Sequence, residues 1–337
     1  MKRLVFLTQR VDPDDPVLAA TIPKIRALAE RVDEVVVLAQ SAVPANGLPE
    51  NVRVRTFGAT QRLGRGLRFE RELMRALPAD AVVAHMIPLY VLLAAPLVRP
   101  RRIPLLLWFT HWKRSRTLDA AARAATDVVS VDRRSFPIDS KKVRPIGHGI
   151  DVSEFPCVET NPGPTLRLLV LGRYSPAKGI PTILRAVQQA RSDGLDVDVE
   201  LHGTASNELE RAHRHELEEL GIPLGDPVPR SELPRLFSRS DALVNNMQAG
   251  APDKVVYEAA ASCLPVLASN PVFDDLFEGY DLRFDRDDPT SLVDRLRWLE
   301  TLDADERREL GRTLRERVAR RHSVESWAEG IIQAASR

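Results

Sequence analysis

Short apolar runs alternate with amphipathic segments along the whole chain. The runs lie at residues 4–7, 34–38, 52–55, 81–84, 105–109, 127–131 and 143–146, and then at residues 166–171, 197–201, 242–244, 265–267 and 281–284. Runs without strict apolar–polar alternation are typical of parallel strands covered on both faces. Helical periodicity fills most of the segments between them. The pattern therefore predicts an α/β fold with two doubly wound domains that face a cleft.

Glycine and proline separate the two series of runs. They are concentrated in residues 146–151 and in the loop over residues 159–164. Such residues mark turns and linkers, and a chain of 337 residues is long enough for two domains. We expect one domain over residues 1–155, a second over residues 156–320, and a C-terminal helix over residues 321–337 that bridges or caps the two domains.

The small net charge of +1 conceals two oppositely charged parts of the chain. Residues 1–150 contain 25 Lys and Arg against 14 Asp and Glu, a net of +11, and the remainder contains 23 against 33, a net of −10. A basic first part favours an anionic partner there, such as a lipid surface or a phosphorylated acceptor. The same asymmetry fits a solvated, arginine-rich surface, and the sequence leaves both interpretations open.

The cysteines and the apolar segments bear on the cellular compartment. Cys157 and Cys263 have unrelated spacings, which excludes a disulfide scaffold or a zinc cluster and suits a reducing cytoplasm. The apolar run at the N-terminus is too short for a signal peptide. No segment reaches the ~20 apolar residues that a membrane helix needs. We expect a cytoplasmic protein, and the sequence leaves open whether it also lies peripherally at the inner face of the membrane.

Two cations stand at a predicted strand-to-helix turn in the second half. Arg173 and Lys178 lie between Gly172 and Gly179, directly after the run at residues 166–171. Free backbone N–H groups and the helix dipole favour an anion at such a place, and two cations add to this preference, so the pattern suits a diphosphate. The alternative is that both are ordinary surface cations, although cations at a helix start oppose the dipole unless an anion binds.

A carboxylate in another helix complements these cations. Glu258 follows the run at residues 242–244 and lies in the first turns of a predicted helix. A carboxylate there can accept hydrogen bonds from two ribose hydroxyls. Lys254, four residues earlier, adds a charge that can reach the phosphates. Glu258 alone fits a helix cap equally well; with the two cations it predicts a nucleotide site.

These motifs and their order resemble those of retaining, nucleotide-sugar-dependent glycosyltransferases of the GT-B fold, of the large family 4 type. The resemblance spans nearly the whole chain and rests on four segments. These are Gly-Arg-x4-Lys-Gly at residues 172–179, the strand, helix and strand at residues 240–266, the interdomain segment at residues 147–155, and the C-terminal segment His322-Ser323 with Trp327. It implies two Rossmann-like domains, the first binding the acceptor and the second the nucleotide sugar.

The resemblance also implies a reaction and, together with the residue patterns of this chain, gives a set of candidate site residues. A sugar would pass from a nucleoside diphosphate to a hydroxyl acceptor with retention of configuration, without a cofactor, a metal ion or a nucleic acid. The catalytic candidates are His111, Arg173, Lys178 and Glu258. The donor-binding candidates are Arg173, Lys178, Lys254, Val255 and Glu258. The candidates for contact with the sugar or the acceptor are Arg10, His85, His111 and Asp253.

The chain departs from the family pattern in three places. The family carries two acidic residues seven apart, and Glu258 fits the second, but the first position is Gly250. Contact with the sugar must then come from Asp253, from the asparagines at positions 245 and 246, or from backbone amides. Lys254 replaces an apolar residue. The loop after the first strand, residues 9–16, is polar and rich in proline rather than glycine, so acceptor recognition is expected to be unusual.

The two histidines of the first half have two interpretations each. His111 and His85 both follow a predicted strand, and ligands bind at the carboxyl ends of parallel strands. The resemblance places a histidine near the transferred sugar at the position of His111. A lone histidine after apolar residues is also often structural. Two other functions stay open as well: a nucleotide-sugar epimerase of the same fold, and a non-catalytic homologue that acts as a binding partner.

A basic helix is predicted in the acceptor half. Its arginines recur every three or four residues and share one side; they are Arg62, Arg65, Arg68, Arg71 and Arg75. Leu63, Leu67 and Met74 lie between them. Such an element suits an anionic bilayer and a lipid-linked acceptor. The alternative is a solvated face that is partly paired with Glu70 and Glu72.

Overall fold

The computed structural model describes residues 1–13, 15, 18–43, 47–158, 163–219 and 223–336. The chain forms two compact units, Met1–Asp151 with Arg321–Arg337, and Val152–Arg320. The first unit thus includes the C-terminal segment that we expected to bridge or cap the domains. Residues 159–162 of the expected linker loop lie outside the described residues. None of the described helices is both long enough and apolar enough to cross a bilayer.

The first unit is built on a parallel sheet with one reversal of strand order. Its described strands are β1 (Arg3–Val11), β2 (Glu34–Ala42), β3 (Val52–Thr56), β4 (Ala81–His85), β5 (Leu105–Trp108), β6 (Asp127–Ser130) and β7 (Val143–Pro145). Their order is β3-β2-β1-β4-β5-β6-β7, and every pair is parallel. The order reverses between β1 and β4, which confirms the doubly wound pattern. Ligands of such sheets bind at the carboxyl ends of the strands near the reversal.

Helices cover this sheet. They are α1 (Thr21–Ala29), α2 (Arg62–Ala76), α3 (Pro88–Val98) and α4 (Arg116–Ala124). Three rings hold α2 and α3 to the sheet: Phe57 lies 5.2 Å from Phe69 of α2 and 5.6 Å from Tyr90 of α3, between ring centroids. The helix α2 begins at Arg62 and so includes all five arginines of the predicted basic helix.

The second unit repeats this plan with fewer strands. They are β8 (Leu166–Leu171), β9 (Val197–His202), β10 (Ala242–Asn245) and β11 (Val266–Ala268), all parallel, in the order β11-β10-β8-β9. The prediction of a further strand at residues 281–284 is wrong. Only a single bridge joins Arg283 to Ala268, because the Leu282 N–H donates to the Tyr280 carbonyl (3.0 Å) and the backbone turns there.

The remaining helices surround the second sheet, except the last. They are α5 (Ile180–Ser192), α6 (Glu208–Glu219), α7 (Leu233–Ser238), α8 (Lys254–Ala261), α9 (Asp274–Phe277), α10 (Pro289–Thr301), α11 (Ala304–Arg321) and α12 (Val324–Ala335). Helix α12 belongs to the first unit and packs on α1. Its Trp327 is fully buried, with its ring centroid 5.7 Å from that of Trp108 and 6.4 Å from that of Phe6.

The two cysteines form a disulfide, and this corrects an inference from the sequence. Cys157 and Cys263 are joined across a separation of 106 residues. Nearby, the Val158 N–H donates to the Ser262 carbonyl (2.9 Å), which holds the two segments together. Spacing along the chain did not reveal this pairing because it depends on the tertiary fold. The cysteines therefore give no support to a reducing compartment.

Candidate functional site

The loop between β8 and α5 depends on two glycines in the left-handed region. The φ angle is 136° at Gly172 and 55° at Gly179. A Cβ atom at Gly172 would lie 2.4 Å from Lys178 Nζ, and one at Gly179 would lie 2.3 Å from Asn246 Nδ2. Both contacts are far too short for a side chain. The glycines are therefore required so that the Lys178 and Asn246 side chains can pack against the loop.

Lys178 and Asp253 form an ion pair. Lys178 is almost fully buried; its Nζ donates to Asp253 Oδ2 and to the carbonyl of Leu171 (3.2 Å). The same carboxylate oxygen accepts a hydrogen bond from Asn245 Nδ2 (2.7 Å). Asp253 is the residue before α8, so the pair joins the β8–α5 loop to the start of that helix. The structure thus brings together a predicted phosphate ligand and a predicted sugar ligand.

Arg173 is paired with a carboxylate that the sequence analysis missed. Its Nη1 lies 3.0 Å from Glu210 Oε1; the Arg173 side chain is 54% exposed and that of Glu210 only 4%. The Ser206 N–H donates to the other oxygen of Glu210 (2.8 Å). Glu210 lies in the first turn of α6, where its own N–H donates to Asn207 Oδ1 (2.9 Å). The sequence pattern there indicates a helix start, and nothing in it points to Arg173.

Glu258 is buried in α8 and bonds side chains rather than the helix terminus. Its Oε1 accepts from Arg230 Nη1 and lies 3.6 Å from Lys254 Nζ. Arg230 also donates to Glu154 Oε2 (2.7 Å) and lies over the ring of Phe155, 4.9 Å from its centroid. Burial lowers the pKa of Arg230, but the charges of Glu258 and Glu154 outweigh it and raise that pKa above its ordinary value. The sequence carries no signal for Arg230.

Gly250, which stands where the family pattern has its first acidic residue, lies in a loop held by Asn270. Gly250 has a φ of 81°, in the region that favours glycine. Its N–H donates to Asn270 Oδ1 (3.3 Å), and Asn270 Nδ2 donates to the carbonyls of Gln248 (3.0 Å) and Ala251 (2.8 Å). The loop geometry thus explains why this position holds glycine. Beside it, Asn246 is buried, and its Oδ1 has no hydrogen-bond partner among the described residues.

Each cation of this site is paired with a carboxylate. The cations are Arg173, Lys178, Arg230 and Lys254, and the carboxylates are Glu210, Asp253, Glu258 and Glu154. Val255, also a donor-site candidate, is buried in α8. The pairs cancel in formal charge. The Arg173 side chain is 54% exposed, and the start of α5 has no side-chain cap and no acidic residue in its first turn, features that suit an anion.

Arg10 is neutralised by its own loop. Its guanidinium lies 2.9 Å from Asp12 Oδ2 and 3.6 Å from Asp15 Oδ2. Residues 14, 16 and 17 of this stretch lie outside the described residues. The expected acceptor cation is therefore held in place by two carboxylates of the polar loop.

His85 and His111 occupy different environments in the first unit. His85 is buried at the end of β4; its Nδ1 lies 3.5 Å from Thr8 Oγ1, and its ring packs on Phe6. Burial, aided by the charge of Lys24, holds the pKa of His85 well below its usual value, so the ring is neutral. His111 is partly exposed, and its Nδ1 accepts a hydrogen bond from the Lys113 N–H (2.9 Å). A neutral His111 therefore carries its proton on Nε2.

The candidates are divided between the two units. Arg10, His85 and His111 belong to the first unit, and Arg173, Lys178, Asp253, Lys254, Val255 and Glu258 to the second. Within the described residues, no group of three or more His, Cys, Asp or Glu side chains is placed to hold a metal ion. Metal independence stays a prediction.

Comparisons with known proteins agree with this architecture. Residues 181–333, a little under half of the chain, match the family model described as "Glycosyl transferase-like". No curated protein matches the chain. Sucrose-phosphate synthase from Thermosynechococcus elongatus superposes with a TM-score of 0.77 at 16% identity, over 99% of this chain and 98% of that one.

Two further solved structures have the same fold. The Anabaena protein HepE (Alr3699), solved in complex with UDP-glucose, gives a TM-score of 0.76 at 17% identity over the full length of both chains. The trehalose-6-phosphate synthase OtsA gives 0.72 at 14% identity, over 100% of this chain and 99% of that one. At these identities the likeness shows the fold. The predicted fold, two Rossmann-like domains of the GT-B type, is confirmed.

Proposed function

We propose that the protein is a glycosyltransferase that moves a sugar from a nucleoside diphosphate to a hydroxyl acceptor with retention of configuration. One observation carries the proposal: the β8–α5 loop and the start of α8 are joined through Lys178 and Asp253, one turn from the buried Glu258. The family-model match over residues 181–333 supports the same class. HepE was solved with UDP-glucose, so a UDP-hexose is the donor that we propose first.

Arg173 and Lys178, which we call the clamp cations, would act on the leaving group. The bond between the anomeric carbon and the diphosphate oxygen breaks, the acceptor oxygen bonds that carbon on the same face, and the leaving phosphate takes the acceptor proton. Negative charge grows on the diphosphate, and Arg173 and Lys178 would stabilise it there more strongly than in the ground state. At ~4 Å and an effective dielectric constant near 20, one such pair is worth ~4 kcal/mol before desolvation.

The carboxylates would position the nucleotide and the sugar. We assign the ribose hydroxyls to Glu258, which Arg230 and Lys254 hold within α8. Asp253 and the buried, unpartnered Oδ1 of Asn246 are the proposed sugar contacts. Both lie beside the loop that carries Gly250 in place of the usual acid.

The acceptor would bind to the first unit. There His111 can donate from Nε2 to a sugar or acceptor oxygen, because its Nδ1 is occupied by the Lys113 N–H. Arg10 and His85 are weaker candidates, since one is paired with two carboxylates and the other is buried and neutral. We propose an anionic or lipid-linked acceptor and peripheral contact with the inner face of the membrane. The cytoplasmic location stays a prediction.

The test combines donor binding with turnover. UDP-glucose should bind the protein, and with an acceptor extract it should yield UDP and a glycosylated product. Arg173→Ala and Lys178→Ala should each lower transfer by ~100-fold or more. Arg191→Ala is the control, because Arg191 is as exposed as Arg173 (52% against 54%) and pairs with Asp198 at the opposite end of α5. Near-normal turnover in both clamp variants would refute the site.

The products also separate the two other functions. An epimerase would convert UDP-glucose into another nucleotide sugar without releasing UDP. A non-catalytic homologue would bind UDP-glucose without consuming it in the presence of any acceptor fraction.

A further inference from the structure

The first unit contains a cavity that none of the proposed donor chemistry uses. Its volume is about 720 Å³, within the ~300–1,000 Å³ of small-ligand pockets. It lies between α2 and α3, at the carboxyl ends of β1 and β2, which supply Gln9 and Gln40. This is the edge of a doubly wound sheet where ligands bind, and it is close to the reversal of strand order.

The cavity has an apolar floor and an apolar rim. Phe57, Phe69 and Tyr90 form part of its lining and are buried. Leu63, Leu67 and Leu89 also line it, yet they are 85%, 69% and 49% exposed. Large apolar side chains clustered at an opening mark a binding surface. The occupant must therefore be largely apolar.

Two arginines at the same cavity lack partners. Arg62 and Arg65 line it, and no carboxylate or carbonyl of the described residues bonds their guanidinium groups; Arg65 Nε is buried and unpartnered. Both lie in the first turn of α2, which has no acidic residue and no side-chain cap. Cations there oppose the helix dipole unless an anion is present. Glu70, also in the lining, leaves one net positive charge.

The other arginines of the predicted basic face are engaged elsewhere. Arg75 and Arg71 lie 2.8 Å and 3.7 Å from Glu72 Oε1, and Arg68 donates to the Gly58 carbonyl (2.7 Å). Arg68 keeps its charge and Arg71 and Arg75 share one carboxylate, so α2 is positive along its length. Within the described part of α2, however, the guanidinium groups without a hydrogen-bond or ion-pair partner are those of Arg62 and Arg65 at the cavity. One anion that enters the cavity can bind both of these unpartnered guanidinium groups, which favours capture of a single molecule there.

We infer that this cavity binds one lipid phosphate, with its hydrocarbon chain between α2 and α3 and its phosphate on Arg62 and Arg65. The assignment of this lipid as the sugar acceptor rests on the proposed function; its binding does not.

Gly66 provides a steric test that leaves the fold intact. It lines the cavity, and a Cβ atom added there meets nothing within 4 Å. Gly66→Met would fill the opening while strengthening α2, because glycine is a poor helix residue. Gly64→Met is the matched control: it makes the same change two residues away, outside the lining, where a Cβ has only an ordinary contact of 3.9 Å with Ala59.

The experiment titrates the full-length protein with monomeric octyl, decyl and dodecyl phosphate by calorimetry. Affinity should rise about fourfold for each methylene that enters the cavity. Dodecanol and inorganic phosphate should each bind at least tenfold more weakly than dodecyl phosphate. Gly66→Met should weaken the binding of dodecyl phosphate at least tenfold. The double change of Arg62→Ala with Arg65→Ala should reduce the affinity for dodecyl phosphate to that for dodecanol.

Controls decide between this site and its alternatives. Gly64→Met, and the double change of Arg71→Ala with Arg75→Ala, should leave dodecyl phosphate binding within twofold of wild type. An affinity that is independent of chain length, or unchanged by Gly66→Met, overturns the inference. So does binding to anionic vesicles that the Arg62 and Arg65 changes abolish and Gly66→Met does not, because that result means surface adsorption. UDP binding measured on the same samples tests the donor site of the second unit. A failure of the proposed donor site can therefore be distinguished from a failure of the lipid site.

Discussion

The pairing of Arg173 with Glu210 leads to a prediction opposite in sign to most active-site substitutions. Glu210→Gln should tighten the binding of UDP. In the structure Glu210 accepts a hydrogen bond from Nη1 of Arg173, so a diphosphate must share that cation with a carboxylate. Glutamine removes the competing charge while its amide oxygen can still accept the hydrogen bond from the Ser206 N–H.

The size of the effect follows from the geometry. The two groups lie 3.0 Å apart, but the Arg173 side chain is 54% exposed. Ion pairs with such an exposed partner contribute ~0–1 kcal/mol, because water screens them. Release of Arg173 should therefore improve UDP affinity by up to about fivefold. The start of α6 loses a favourable charge near its N-terminus, which costs ~0.3–1 kcal/mol of stability.

The assay is calorimetric titration with UDP at low and high salt. The gain should shrink at ~1 M salt, because the Debye length falls to ~3 Å. Glu208→Gln is the control, because it makes the same charge change in the same turn of α6. Glu208 is exposed and unpaired within the described residues. If Glu210→Gln binds UDP no better than Glu208→Gln, the competition argument fails. Weaker binding would mean that Glu210 positions Arg173 for the phosphates.

Three other predictions concern different parts of the chain. Glu258→Gln should weaken UDP binding at least ~10-fold but leave pyrophosphate binding unchanged, since the lost contact is to ribose. If the variant and the wild-type protein bind UDP with equal affinity, Glu258 is purely structural. Burial lowers the pKa of His322 to about 3, so below pH 6.5 the unfolded chain binds a proton that the folded chain does not. Stability should fall by ~2 kcal/mol at pH 5, and melting curves of His322→Asn should lose that part of the pH dependence. Reduction of the Cys157–Cys263 disulfide should lower stability by ~2–4 kcal/mol, and a Cys157→Ser, Cys263→Ser protein should melt at the same temperature with or without reductant.

Strands could be predicted wherever an apolar run was continuous and was followed by a turn residue. The run that ends at Gly172 is an example, since β8 has the predicted bounds. The segment at residues 281–284 failed because two buried side chains, Leu282 and Phe284, imitate a strand where the backbone makes one bridge. The helix α2 could be predicted from its arginine spacing although Gly64 and Gly66 interrupt the apolar periodicity of its first turns.

The site divides in the same way between local and tertiary information. Arg173, Lys178 and Glu258 could be recognised because each stands at a fixed offset from a strand or a helix start. Their partners could not: Glu210 lies 37 residues from Arg173, and Arg230 lies 28 residues from Glu258. Ion pairs of this kind depend on how α6 and the segment before α7 pack, and no spacing rule encodes that packing.

Gly250 and Asp253 together indicate how the missing acid is replaced. With a φ of 81° and its N–H bonded to Asn270, Gly250 cannot accept a glutamate without strain. Asp253 is the acid bonded to the clamp lysine, and it is held by Asn245. If Asp253 contacts the sugar, Asp253→Asn should tighten the binding of the product UDP and at the same time slow sugar transfer.

The two effects have separate causes. UDP should bind ~3–10-fold more tightly to Asp253→Asn, because Lys178 loses a competing carboxylate. Sugar transfer from UDP-glucose should fall at least ~10-fold, because a charged hydrogen bond to a sugar hydroxyl is lost. Initial rates and UDP titrations on one preparation measure both quantities. Unchanged turnover with tighter UDP binding would show that Asp253 only neutralises Lys178, and sugar recognition would then fall to Asn246.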